Sequence, residues 1–409
     1  MTEATASDGD ARKQPATATH RRPRLCVAMR WFGVRSEVWA WRQIRLFSRV
    51  RPEIISWTHE NADDFPLGEV PIRLLDTKED PNEGKGRWWW RVRNLPSGNF
   101  YGTQGEELEK IVAMWRESRP DVVLCHFGHV GLRFLPAARQ LGIPVVVHFH
   151  GHDIGSGLDN RWYRWSLRRS LPGFAAAVCV GSHQRKRLIQ LGMPEDRTHL
   201  IPCGVPTAEF TPPPRNPNNE SLQFICVSRL IEWKGQHIAI DAFADIAEKI
   251  PGAKLVIVGD GPDEDSLRQK TRKLGVAERV EFTGSCSPES VKQHLRQSDV
   301  FLQHSLTHPS GWGEGFGVSI AEASSTGLPV VVTPCGGIAD QVVDGETGII
   351  VPERDRAAMA RAMLELATSP DLRRQMGEAG RKRMAEQFDT NLQVEKLEDV
   401  LLRVCSRNT

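Results

Sequence analysis

The chain has 409 residues, of which 40% are hydrophobic and 25% charged, and a formal net charge of +2. That length exceeds what one hydrophobic core fills, so two domains are expected, and the composition excludes fibrous and wholly disordered classes. No apolar run approaches the roughly 20 residues that cross a bilayer, and the eight cysteines form no C-x-x-C pair, which argues against a disulfide or metal framework and for a reducing cytoplasm.

Residues 1–22 are rich in Ala, Thr, Asp and Arg without an apolar segment. They read as a disordered leader and not as a secretory signal. Short apolar runs then alternate with longer amphipathic stretches. In the first half the runs fall at 25–29, 122–125, 145–148 and 176–180. In the second they fall at 224–228, 254–258, 279–282, 300–303 and 329–333. Runs this short and this apolar predict parallel strands covered on both faces, hence an α/β fold. TPPPRNPNNES at 211–221 suits neither helix nor central strand and reads as a linker. The expected units are an N-terminal domain over 23–210 and a C-terminal domain over 222–389, followed by a helix over 390–409, where leucine and valine recur at helical spacing.

Charge is uneven between the halves. Residues 1–210 hold 30 Lys/Arg against 23 Asp/Glu, and the remainder 23 against 28. A basic first half suits an anionic partner such as a membrane surface. Two stretches there interleave tryptophan with arginine, RWWWRVR at 87–93 and RWYRWSLRRSL at 161–171. Such patches can sit at a headgroup interface. Nucleic acid is not expected, because no binding module accompanies them.

VVVHFHGHDIG at 145–155 brings His148 and His150 onto one strand face. Zinc is not expected there, since no cysteine lies nearby in the sequence. After the run at 224–228 comes RLIEWKG, with Arg229 and Lys234 flanking a strand-to-helix turn. Ligands of open α/β sheets bind at such strand ends, and two cations there can neutralise a diphosphate. The acidic run at 263–265 is expected to start a helix and not to hold a metal. Finally, SGWGEGFGVSIAEASSTGLPVVVTPCGGIAD at 310–340 sets Glu314 and Glu322 with seven residues between them, beginning Gly315-Phe316-Gly317. A helix opening at that step would offer unpaired N–H groups and a positive dipole end to an anion.

The glutamate-x7-glutamate segment, together with RLIEWKG and the His150-Gly151-x-Asp153 step, resembles the retaining glycosyltransferases of family 4, of the exopolysaccharide and lipopolysaccharide type. The resemblance spans about residues 25–388. It implies a GT-B fold, two Rossmann-like domains facing across a cleft with the C-terminal helix crossing back to the first. It also implies transfer of a sugar from a UDP- or GDP-sugar donor to a glycan or lipid-linked acceptor, with the anomeric configuration retained. In that scheme Arg229 and Lys234 hold the diphosphate, Glu314 the donor sugar and Glu322 the ribose, while Gly315 to Gly317 present N–H groups. His150 approaches the transferred sugar. Gly33, His126 and Asp153 belong to a possible acceptor or phosphate loop. No cofactor or metal is expected, because the two cations can serve the phosphates. The implied location is cytoplasmic, with possible attachment to the inner face of the membrane. The chain departs from the family at Gly33, where relatives have a glycine-rich loop, and at Cys203 and Pro206 in IPCGVP, in place of Asn and Asp. Two rivals remain, a nucleotide-sugar 2-epimerase of the same fold and a non-catalytic nucleotide-sugar-binding partner of a polysaccharide assembly complex.

Overall fold

A computed structural model describes residues 21–75, 92, 94–213 and 221–407. Most of the expected leader (1–20), the middle of the linker (214–220) and most of the RWWWRVR run (87–91 and 93) lie outside the described residues.

The first half carries β1 (Arg24–Ala28), β2 (Trp31–Phe32), β3 (Arg51–Ser56), β4 (Thr58–His59), β5 (Ile72–Leu74), β6 (Val122–His126), β7 (Val145–Phe149), β8 (Ala176–Cys179) and β9 (Thr198–Leu200). Seven of these form a parallel sheet in the order β5-β3-β1-β6-β7-β8-β9, and β2 pairs separately with β4. The second half carries β10 (Gln223–Val227), β11 (Lys254–Val258), β12 (Val280–Gly284), β13 (Val300–Gln303), β14 (Val330–Val332) and β15 (Gly348–Ile350). They form a parallel sheet in the order β12-β11-β10-β13-β14-β15.

The strands are apolar on both sides because both faces are covered. In β1, Leu25 and Val27 join one core cluster while Cys26 and Ala28 join another. All of the strand cysteines are buried and free, as expected of small hydrophobes.

Strand order reverses between β1 and β6 in one sheet and between β10 and β13 in the other. Crevices at such reversals bind ligands beyond the carboxyl ends of the strands. Arg229 follows β10 and Gln303 ends β13, so the basic motif sits at this point.

The last helix, Thr390–Ser406, is capped by the Asp389 carboxylate, which accepts from the Asn391 N–H at 2.9 Å. Its Leu397, Val400 and Leu401 share a core cluster with Trp39 and Ile44 of the helix Val38–Leu46. The C-terminal helix therefore crosses back onto the first sheet's layer.

Six strands escape the apolar-run reading, among them β2 and β4 with two residues each. In β3 the segment RPEIIS opens with Pro and Glu, and β5, β9 and β15 have only three residues each. Arg279, read as opening a strand, instead ends a 3-10 turn and donates to the carbonyls of Ala247, Ile250 and Ala253. The acidic run does start a helix, Glu264–Lys273, with Asp263 at its cap and Glu264 paired to Arg268.

Candidate active site

Between the two sheets lies a cleft of about 670 Å³ lined from both halves. The C-terminal wall carries Arg229, Lys234, the 314–319 loop and Glu322, and the N-terminal wall carries Trp39, Arg42, His150 and Cys203.

Lys234 closes a 3-10 turn, Glu232–Lys234, ahead of the helix Gln236–Ile246. Its Nζ donates to Glu314 Oε1 at 2.5 Å. The same oxygen accepts from Ser305 Oγ at 2.9 Å and Gln303 Nε2 at 3.2 Å. Burial alone would raise the Glu314 pKa, but the Lys234 charge and these hydrogen bonds outweigh it and hold the carboxyl below its usual value. Arg229 is exposed at the cleft and makes no ion pair among the described residues. It is therefore available to an incoming anion.

Gly317, at φ +67°, caps the helix Val318–Ser325, so the Gly-Phe-Gly step does open a helix into the cleft. Phe316 turns inward, 4% exposed and packed 5.7 Å from Phe388, which leaves only its backbone to the cleft. Gly315 is a point of contact between the halves. A Cβ there would lie 2.0 Å from the His150 carbonyl oxygen, so only glycine permits the approach.

Glu322 is not open to a ribose in this state. Arg42, from the first helix, donates Nη1 to Glu322 Oε1 at 2.7 Å, with both side chains 7% exposed. The sequence held no sign of this pair, whose members are 280 positions apart.

His150 lines the cleft, stacked on Trp39 with ring centroids 3.8 Å apart. The other residues assigned to an acceptor or phosphate loop stand behind it. His126 is fully buried and meets His150 through Nδ1···Nε2 at 3.0 Å. Asp153, also buried, accepts from the N–H groups of Gly128, His150 and Gly151 at 2.9 to 3.1 Å. Its carboxylate is spent on holding the loop. Gly33, at φ +87°, packs against the Glu60 backbone and leaves the cleft to Val34, Arg35 and Ser36. His126, Asp153 and Gly33 thus stand behind the cleft surface and are not among its lining residues.

The argument against zinc from a missing cysteine also fails in three dimensions. Cys203, a position where the chain departs from the family pattern, sets its Sγ 3.7 Å from His150 Nδ1.

Two parallel α/β domains facing each other across a cleft make up the GT-B fold. A profile described as "Glycosyl transferases group 1" matches residues 208–383, and one described as "Glycosyltransferase Family 4" matches 72–209. The chain belongs to the family 4, group 1 glycosyltransferases. It is 33% identical over 276 residues to the GDP-mannose-dependent alpha-(1-6)-phosphatidylinositol monomannoside mannosyltransferase of Mycobacterium tuberculosis, covering 65% of this chain and 71% of that protein. It is 30% identical to the putative colanic acid biosynthesis glycosyltransferase WcaL of Escherichia coli, covering 79% of this chain and 78% of that protein. Among solved structures it is similar to Anabaena Alr3699/HepE in complex with UDP, with TM-score 0.76 and 18% identity over 93% of this chain and 100% of that one.

Proposed function

We propose that the protein transfers a sugar from a UDP- or GDP-sugar to a glycan or lipid-linked acceptor of cell-envelope or exopolysaccharide synthesis, with retention at the anomeric carbon. The carrying observation is that Arg229, Lys234, Glu314 and the Gly317 helix terminus converge on one cleft that His150 closes from the other domain. Arg229, Lys234 and the helix N–H groups stabilise the departing diphosphate as its charge grows. Glu314 and Glu322 accept from donor-sugar and ribose hydroxyls after Lys234 turns to phosphate and Arg42 releases its carboxylate.

The two carboxylates nearest His150 and Lys234 are engaged in this structure, while Glu60 and Asp260 also line the cleft. Glu314 is bound to Lys234, and Asp153 is buried on backbone N–H groups. That favours substitution on one face, with the leaving phosphate oxygen taking the acceptor's proton. Because side-chain cations serve the phosphates, transfer should survive EDTA. Loss of activity with EDTA and rescue by magnesium or manganese would reject this assignment of the cations.

The donor is tested by thermal melting against a panel of UDP- and GDP-sugars, since a ligand at 100 times its Kd stabilises by about 2.7 kcal/mol. One base series should raise the melting temperature and release free nucleoside diphosphate when acceptor glycan is added. No shift with any nucleotide sugar would overturn the proposal. A shift without nucleoside diphosphate release, even with pooled envelope glycans and lipid-linked sugars, would favour a binding partner.

A further inference from the structure

Three imidazoles meet at the carboxyl ends of β6 and β7. His126 and His148 are register partners on these neighbouring strands, and His150 follows two residues later. One ring nitrogen from each lies within 4.8 Å of the others. The closest pair, His126 Nδ1 and His150 Nε2, is 3.0 Å apart. Two nitrogens on one tetrahedral ion, at about 2.0–2.1 Å each, stand roughly 3.4 Å apart. This pair could share an ion after a movement of a few tenths of an ångström.

The environment is unusual for a merely structural cluster. His126 and His148 are fully buried, yet His126 Nε2 has no hydrogen-bond partner, and the nitrogens of His148 have none beyond a weak contact with the Ile201 backbone. Each such group costs about 1–3 kcal/mol when left unpaired. Neutral imidazole is the ligating form. The second nitrogen of His150 faces Cys203 Sγ, an outer partner of the kind that orients a metal-bound ring, and Trp39 stacks on its plane.

We infer that His126, His148 and His150 form a binding site for one divalent transition ion, of which zinc is the best match, apart from the diphosphate half of the cleft. Three neutral nitrogens without a carboxylate suit zinc or its neighbours and not magnesium or calcium. Three protein ligands leave a fourth position for water or a substrate group. The ion would reach the site along the cleft, which His150 lines.

The test uses the full-length chain without a histidine tag, stripped with chelator and then titrated with zinc or cobalt(II). Expected are one bound ion per chain after desalting and a cobalt spectrum with the intense visible bands of four-coordination. X-ray absorption of the zinc form should carry scattering from three imidazoles. His148→Gln should weaken binding at least tenfold while leaving the melting temperature and nucleotide binding near those of the unaltered protein. Substoichiometric zinc, a weak octahedral cobalt spectrum or oxygen-only scattering would overturn the site. So would unchanged metal affinity in His148→Gln. Should that variant not fold, the absorption spectra of the unaltered chain decide alone. None of these measurements requires transfer activity, so failure of the ion site and failure of the proposed reaction are distinguishable.

Discussion

Lys234 and Glu314 neutralise each other across a partly buried contact, with side chains 23% and 14% exposed. In the proposed reaction a diphosphate entering the cleft draws the ammonium from that carboxylate, and the contact strengthens as the sugar–phosphate bond breaks. Lys234→Ala should therefore cost about 2–4 kcal/mol in the barrier, or 30- to 1000-fold in rate, with the fold retained in circular dichroism. Full turnover in that variant would remove Lys234 from the reaction. The pair also leaves a pH signature. The Glu314 carboxyl lies below its unfolded value, about 4.3, so its contribution to stability is complete above that pH and is lost as pH falls through the folded value. In urea titrations, the stability gap between the protein and Glu314→Gln should be constant near neutrality and shrink as the pH drops below about 4. A gap that widens in acid would contradict the assigned shift. RLIEWKG and GEGFG were legible in the sequence because each motif is a local string whose glycines and charges act within one turn. Arg42 and Cys203 were not, since their roles arise only when residues from distant segments meet, Arg42 at Glu322 and Cys203 at His150.

Among the elements, the helix Thr390–Ser406 ties the end of the chain to the first domain through one buried carboxylate. Glu398, fully buried, accepts from the backbone N–H groups of Ser48 and Arg49 at 2.8 and 2.6 Å and from Arg49 Nε at 3.1 Å. These bonds finish the chain as it leaves the helix Val38–Leu46, which carries Trp39 and Arg42 into the cleft. Glu398→Ala would leave two N–H groups unpaired, and the expected loss is about 1–3 kcal/mol in chemical denaturation. Donor affinity should weaken with it, because the cleft helix loses its anchor. An unchanged denaturation midpoint would show that water replaces the carboxylate freely. Periodicity revealed this helix and the buried strands with ease, as in the VVVHF of β7. It passed over β3, whose RPEIIS is polar at one end because Pro52 and Glu53 are only partly covered.

For the molecule as a whole, the basic first half has a physical location on the helix Arg161–Ser170. Its inner face buries Tyr163, Ser166 and Leu167, while Arg161, Arg164, Arg168 and Arg169 are exposed. Trp165 stands 60% exposed among them, and Trp162 packs edge-on against Phe100. Trp162 is thus packed inward, whereas Trp165 is turned to solvent. The adjoining turn, Ser156–Asp159, contacts the second domain through Asp159, which accepts from Ser310 Oγ at 2.9 Å. Among the described residues no helix is long and apolar enough to cross a membrane, so attachment through this helix would be peripheral. Each arginine near an anionic surface contributes about 1 kcal/mol, fading over a Debye length of roughly 8 Å at physiological salt. Trp165 adds an apolar contact at headgroup depth. The protein should co-sediment with anionic but not neutral vesicles and be released as salt is raised. Replacing the four arginines with glutamine should abolish most of that binding while leaving the nucleotide-induced melting shift unchanged, because none of the four lines the cleft. Equal partitioning onto both vesicle types, or onto neither, would reject the charged surface and favour an acceptor taken from solution.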